Sequence, residues 1–327
     1  MNNEDYKGLM VFAEQREGRI HPVSYELLGK GTEIAKQLGI EVSSVLLGSG
    51  MEDEINQLFH YGAQKVYYFD DPKLADFDLL NYKHNICRLV NDVKPETLLV
   101  GATHLGRSLA PRIAAALSTG LTADCTALEV GTEGNLVQIR PAFSGNIFAH
   151  IRTTTRPQMA TVRYKVMQKL ERDTSKSGEI VRKDAEIIDS VLKIVGKEST
   201  GGVNIAEADV VVCGGRGLKS AADFSLLEEL ADALGGTVGC TRPVVDDGWL
   251  GKEHQVGFSG NTVKPKLYVA VGVSGSPQHL AGMRDSDVIL AVNADPSAPI
   301  FKLADYGIVG DLYEVVPKLT AEARARS

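Results

Sequence analysis

The sequence predicts an α/β protein of two domains, and three observations predict it. Apolar, β-rich runs alternate with helix-length amphipathic segments in the first third of the chain. The pattern changes to short alternating strands between residues 126 and 166, and strand and helix resume at residue 208 after a charged, Ser- and Gly-containing stretch. Strand and helix in alternation give a parallel sheet covered on both faces, whereas short alternating runs bounded by Gly and Pro give antiparallel additions.

The elements follow in order. Residues 8–14 (GLMVFAE), 42–48 (VSSVLLG), 65–70 (KVYYFD) and 97–103 (TLLVGAT) read as buried strands, each an apolar run bounded by turn residues. Between them, segments 25–38 and 77–93 repeat apolar residues at three and four, the period of a helix with one buried face. HLGRSLAPRIAAALSTG, after Thr103, reads as a loop entering a helix that starts near Gly106 and ends before Gly120. The unpaired N–H groups of its first turn make either an anion or nucleotide site or an ordinary strand-to-helix connection. TALEV, NLVQIRPAF, IFAHIRTT and MATVRYKV read as antiparallel strands added to the parallel sheet, and His150, Arg152, Arg156 and Arg163 among them as a solvated face or a subunit contact.

Residues 171–202 read as a connector carrying the amphipathic EIVRKDAEIIDSVLKIV, with the break near 199–203, which gives domains 1–202 and 203–327. The second domain opens with the strand ADVVVCGG (208–215) and a helix on which Phe224, Leu227, Leu230, Ala231 and Leu234 share one face. Ser220 and Asp223 fit a capping box before it, and Gly235 and Gly236 end it. Strands at 267–273 and 288–292 flank the helix-like SPQHLAGMRD, and a terminal helix spans roughly 314–326.

Composition excludes several classes of function. A net charge of −7 lacks the basic face that phosphate neutralisation on a nucleic acid needs, and no apolar run reaches the length of a membrane span. The polar, acidic start MNNEDYKG lacks the character of a signal peptide, which leads us to expect a cytoplasmic protein. Cys87, Cys125, Cys213 and Cys240 have no metal-ligand spacing and read as core residues, so no metal is expected. There is no nucleophile elbow and no zinc-protease motif, and Asp246, Asp247, Asp285 and Asp287 are spaced like turn and surface residues, so no catalytic side chain is assigned.

What the second domain does carry is material for holding a ligand. GGRG (214–217) lies at the carboxyl end of a strand, where glycines let the backbone approach a pyrophosphate and Arg216 could neutralise it. Thr241 and Arg242 place a hydroxyl beside a planar cation able to lie against an aromatic ring. QVGFSG adds Gln255, Val256, Gly257, Ser259 and Gly260, and GVSGSPQHLAGM adds Ser274, Gly275, Gln278 and His279. Loops so close together in the chain suit one shared pocket, and the want of reactive side chains suits a cofactor that carries the reaction itself.

These segments, together with CTRPVVDDGW, NTVKPKLYVAVGV and AVNADPSAPIFKLADYGIVGDL, resemble those of the α subunit of an electron transfer flavoprotein. The resemblance covers the whole chain and is strongest from residue 208 onward. It implies an N-terminal parallel-sheet, nucleotide-hydrolase-like domain with antiparallel additions and a C-terminal doubly wound FAD-binding domain. It further implies that Arg216, Thr241 and Arg242 line the cofactor, with Arg242 against the isoalloxazine ring. Val256, Gly257 and Ser259 would reach the flavin on its N5 side, Ser274, Gly275, Gln278 and His279 would hold flavin and phosphate, and Asn293 and Asp311 the adenosine end. A cation over the ring and a histidine beside it would both favour a reduced, anionic flavin. The chain departs from the family pattern at Phe258, where many members have Gln.

The resemblance also implies a partner, the electron transfer flavoprotein β subunit, in a heterodimer that passes electrons between NADH or dehydrogenases and a flavoenzyme such as an acyl-CoA dehydrogenase. Two versions differ in that partner: a bifurcating one with a second FAD, toward which Ser259 and VFAEQREGRIHPVSYELLGKG lean, and a housekeeping one with AMP in the β subunit. A reading of another class is an NAD-dependent dehydrogenase with His279 as its catalytic group, but G-x-G-x-x-G is missing from its place after a strand.

Overall fold

The computed structural model describes residues 5–142, 147–189 and 204–326. The described residues fall into two compact units, one ending at residue 189 and the other beginning at 204. The expected break at 199–203 lies outside the described residues.

The first unit runs β1 (Leu9–Ala13), β2 (Gln15–Arg16), β3 (Arg19–Ile20), α1 (Pro22–Leu38), β4 (Val42–Gly48), α2 (Glu52–His60), β5 (Lys65–Asp70), α3 (Leu79–Val93), β6 (Thr97–Gly101) and α4 (His104–Ala116). It continues with β7 (Leu121–Cys125), β8 (Ala127–Val130), β9 (Leu136–Ala142), β10 (Ile147–Ile151), β11 (Gln158–Val162) and β12 (Glu179–Lys183). Seven strands pair in the order β12-β5-β4-β1-β6-β11-β7, every pair parallel. Alternation along β1 shows that both faces are covered: Leu9, Val11 and Ala13 join one apolar cluster, and Met10 and Phe12 the other.

Three sequence expectations change here. MATVRYKV is not antiparallel: β11 is buried at every position and lies parallel between β6 and β7, a place where both neighbours demand an apolar run without a polar face. β8, β9 and β10 are antiparallel as expected, but they form a separate three-stranded sheet. Part of the expected connector is structural, because β12 pairs with β5 as the edge of the large sheet, its charged alternation being that of a half-exposed edge strand.

The second unit runs β13 (Val210–Gly214), α5 (Phe224–Ala233), β14 (Thr237–Cys240), α6 (Arg242–Asp246), β15 (Leu267–Val271), α7 (Pro277–Leu280), β16 (Val288–Asn293), β17 (Tyr306–Val309) and α8 (Leu312–Arg326). Its five strands are all parallel, in the order β14-β13-β15-β16-β17. The direction of winding reverses between β13 and β15, which marks the topological switch point. One face is covered by α5 and α8 through Leu227, Leu230, Leu312 and Val316. The other is covered by loop residues, among them Val256, Val263, Met283 and Ile300. The expected capping box is present, with the Ser220 N–H donating to Asp223 Oδ2 at 2.9 Å, and Gly235 at φ 64° ends α5. β14 and β17, short strands of four residues, were not expected from the sequence.

Among the described residues, no helix is long and apolar enough to cross a membrane. Leu227, fully buried beneath the switch point, should cost about 2–5 kcal/mol when replaced by Ala. The single tryptophan, Trp249, packs edge-on to Phe224 with centroids 6.5 Å apart in the same cluster, so its fluorescence during urea unfolding of the variant measures that loss.

Candidate functional site

The switch point is built by backbone meeting backbone. The Gly215 N–H donates to the Val271 carbonyl and the Gly217 N–H to the Gly272 carbonyl, each at 3.0 Å. A Cβ on Gly215 would sit 2.3 Å from the Gly272 oxygen, and one on Gly217 would sit 2.6 Å from the Gly272 Cα. Only glycine fits, so the loops after β13 and β15 close on one another and leave Arg216 exposed between them.

The loop after β14 joins from one side. The Thr241 N–H donates to the Gly214 carbonyl at 3.0 Å, burying Thr241 and turning the chain into α6, whose first residue is Arg242. The Arg242 side chain is 68% exposed and pairs with Asp246, at 3.4 Å one helical turn away, a surface pair of small energy. Residues 255–261 fold back beside β14, with the Val256 N–H on the Cys240 carbonyl at 2.9 Å and the Asn261 N–H on the Gln255 carbonyl at 2.7 Å. Buried Gln255 donates from Nε2 to Ser259 Oγ at 3.3 Å. The exposed serine therefore has its oxygen held and its proton available to donate outward.

The loop after β15 is laced to this one. The Phe258 N–H donates to the Gln278 carbonyl at 2.8 Å, and Gly257, at φ 151°, faces the same carbonyl. A Cβ on Gly282 would lie 2.4 Å from the Gly257 Cα, so these strands of loop also meet at glycine distance. His279 is buried between them, with Nδ1 3.2 Å from the Val256 carbonyl and Nε2 3.0 Å from the Tyr268 hydroxyl. Burial pushes its pKa down to about 4, against a smaller upward pull from the Val256 bond. Phe258 is 68% exposed at the tip.

The remaining expected residues complete the edge. Ser274 and Gln278 are exposed, and Gly275, at φ 92°, packs against the Ile300 backbone. Asn293 donates from Nδ2 to the Val273 carbonyl at 2.9 Å and accepts the Asp295 N–H at 3.0 Å, so it pins the loops after β15 and β16. Gly310 donates to the Asn293 carbonyl, and Asp311 accepts the Tyr313 N–H at 2.9 Å at the start of α8. Gly260 is half-buried against the Gln255 carbonyl.

Every expected contact residue thus lies at the carboxyl edge of the second sheet or on the 255–261 loop beside it. They separate into exposed groups (Arg216, Arg242, Ser259, Ser274, Gln278 and Asp311), buried ones that hold the loops in place (Thr241, Gln255, Val256, Gly257, Gly275 and His279), and the half-buried Gly260 and Asn293. Glycine approach, two exposed guanidinium groups and outward hydroxyls fit a dinucleotide cofactor: cations for a pyrophosphate, and a planar cation for a flat ring. Sequence reasoning missed Tyr268 and Gly272. Tyr268 occupies an alternating strand position that reads as core, and the close approach at Gly272 depends on a loop 55 residues earlier in the chain.

The helix after β6 does not present an open anion site. Fully buried Glu14 accepts the Thr103 hydroxyl and is paired with Arg16 at 2.9 Å, and Thr103 caps Gly106 at 3.1 Å. A carboxylate already faces that helix start, which favours the ordinary strand-to-helix connection.

Comparison with known proteins follows the same division. A family model described as the electron transfer flavoprotein domain matches residues 9–188, and one described as the electron transfer flavoprotein FAD-binding domain matches residues 204–284. The electron transfer flavoprotein subunit alpha of Thermoanaerobacterium thermosaccharolyticum is 47% identical over 98% of both chains. Its namesake from Clostridium acetobutylicum is 50% identical over 99% of both. A lactate dehydrogenase (NAD(+),ferredoxin) subunit, LctC, from Acetobacterium woodii is 46% identical over 96% of this chain and 76% of its own.

Replacing Gly215 by Ala should force the two switch-point loops apart, at a cost of about 1–3 kcal/mol. The expected result is a lower thermal midpoint together with loss of bound flavin absorbance; a variant that retains both would show that this approach is not required.

Proposed function

The chain belongs to the electron transfer flavoprotein α-subunit family, and we propose that it is the FAD-binding half of a heterodimer that collects electrons from one redox partner and delivers them to another. The observation that carries this reading is the convergence of exposed Arg216, Arg242, Ser259, Ser274 and Gln278 on glycine loops at one sheet edge. That edge has charge, hydroxyls and amides to bind a dinucleotide; the flavin, when bound, supplies hydride and electron chemistry.

In this reading Arg216 neutralises the pyrophosphate, Arg242 lies against the ring system, and Ser259 donates a hydrogen bond on its N5 side with Gln255 holding the hydroxyl oxygen. Ser274, Gly275 and Gln278 hold flavin and phosphate, while Asn293 and Asp311 serve the adenosine end. Thr241, Val256, Gly257 and His279 set the positions of the loops that carry these groups. The first unit, with the segment leading to the second, is the scaffold that takes the electron transfer flavoprotein β subunit, so that domain one spans residues 1–202 and the FAD domain 203–327. Electrons then pass between NADH or a dehydrogenase and a flavoenzyme such as an acyl-CoA dehydrogenase, in the cytoplasm.

We favour the bifurcating form, in which the β subunit carries a second FAD. The Acetobacterium woodii relative is named for NAD(+) and ferredoxin together, which supports that form. Cofactor analysis of the purified heterodimer tests it: two FAD per dimer are expected, and one FAD with one AMP would refute it. Within the site, Arg242→Ala should lower the flavin potential. For an exposed guanidinium the expected loss is on the order of 1 kcal/mol, about 20 mV for a two-electron couple. An unchanged potential in redox titration would remove Arg242 from this role.

A further inference from the structure

We propose that Tyr313 is a positioning residue for the bound dinucleotide, because its hydroxyl ties the loop that carries Arg216 to the start of the helix that follows Asp311. This deepens the flavin reading and rests on it for the identity of the ligand. Tyr313 is the second residue of α8, and its N–H donates to Asp311 Oδ1 at 2.9 Å. Its hydroxyl donates to Asp223 Oδ2 at 2.7 Å and accepts the Lys219 N–H at 2.9 Å. The same Oδ2 accepts the N–H groups of Lys219 at 3.0 Å and Ser220 at 2.9 Å. One side chain thereby joins residues 90 positions apart in the chain.

The protonation states suit that arrangement. Three donors converge on one oxygen, and the Tyr313 hydroxyl, the largest cause, holds Asp223 below the usual carboxylate range, so it accepts as an anion. Burial first and then the Asp223 bond push the Tyr313 pKa up, so the hydroxyl keeps the proton it donates.

Apolar packing at this corner fixes depth but not direction. Leu218 and Leu312 are buried in one cluster with Tyr313 packed against it, and a Cβ on Gly272 would lie 3.1 Å from Leu312 Cδ2, so α8 begins on the floor of the switch point. Such contacts leave the outer part of the 215–220 loop free to shift, whereas directional bonds to two successive N–H groups do not. The Lys219 ammonium lies 4.6 Å from the centroid of the Tyr313 ring and adds a cation–π contact to the junction. Among the described residues, every N–H from Gly215 to Ser220 has an acceptor except that of Arg216. In the flavin reading Arg216 meets the pyrophosphate and Asp311 the adenosine end, so Tyr313 sets the spacing of these two contacts. Its hydroxyl is engaged by Asp223 and Lys219 and has no part in contacting the cofactor.

Equilibrium FAD binding to the full chain, followed by flavin fluorescence, tests the assignment through a double-mutant cycle. Tyr313→Phe keeps the ring and removes the hydroxyl, and should weaken FAD binding about fivefold, the equivalent of one hydrogen bond. In an Arg216→Ala background the loss should shrink to about twofold, because one of the contacts it positions is gone. Phosphorus NMR of bound FAD should show displaced pyrophosphate signals in Tyr313→Phe. Equal losses in both backgrounds, undisplaced signals, or an unchanged affinity in the folded variant overturn the proposal. Asp223→Asn, which leaves the hydroxyl a neutral acceptor, carries the same cycle and the same outcomes if the Phe variant does not fold. The tie itself is read in the flavin-free chain by amide exchange: the Lys219 N–H should exchange about fivefold faster in Tyr313→Phe or Asp223→Asn, and an unchanged rate overturns it. Failure of the unaltered chain to bind FAD would refute the flavin reading alone, because the exchange rate does not depend on a ligand.

Discussion

Two hydrogen bonds between loop backbones, from Gly215 to Val271 and from Gly217 to Gly272, set the geometry on which the second unit depends. A doubly wound sheet parts its connections at the switch point and so opens a crevice there. Here glycines close the floor of that crevice to van der Waals distance, and the neighbouring loops are tied on in sequence. Thr241 reaches Gly214, Val256 reaches Cys240, Ile300 reaches Ser274, and Gly310 reaches Asn293, each through a backbone N–H donated to a carbonyl. Because the main chain does the joining, the side chains of Arg216, Arg242, Ser274 and Gln278 are left facing solvent. The site is therefore a lattice of backbone bonds that presents a small set of polar groups.

The same loops also serve as core. One face of the sheet has α5 and α8 to cover it, but the other relies on Val256, Val263, Met283, Ala298 and Ile300, all from segments between the regular elements. Val256 shows the coupling most directly, with its side chain in the apolar cluster, its N–H on Cys240 and its carbonyl on His279. Damage to α5 or α8 costs stability at a distance from the ligand edge, whereas damage to the loop-covered face moves ligand groups as it lowers stability.

Much of this was legible in the sequence because it rests on local signals. Periodicity marked the buried strands β1, β4, β5, β6 and β13, and the Ser220–Asp223 pattern with Gly235 and Gly236 bounded α5. β11 misled because its neighbours in the chain are antiparallel while its neighbours in space are parallel, and five residues do not reveal which. β12 misled because an edge strand with charged alternation looks like an amphipathic linker. At the site, residue type indicated which positions could touch a ligand, but not which of them are turned inward. Nothing in QVGFSG says that Gln255 faces its own loop while Ser259 faces out, since that follows from the fold-back onto Cys240. Tyr268 was invisible for a related reason, its meaning lying in a partner eleven residues away that only the tertiary turn brings near.

The division between buried and exposed groups also separates two physical tasks that a redox site must perform. A charge buried in fixed geometry acts strongly on a cofactor but is costly to desolvate, and burial pushes the pKa of His279 down to about 4. In the proposed reading the charge that acts on the flavin is that of Arg242, which is exposed, so that solvation remains and Asp246 is a loose partner one turn away. An exposed pair of this kind is weak enough for a competing anion to draw the guanidinium off, because little free energy holds it to its aspartate. Rigidity is thus supplied by neutral hydrogen bonds in the interior and electrostatics by a side chain that can move, so the strength of the charge effect can change without disturbing the lattice that positions the site.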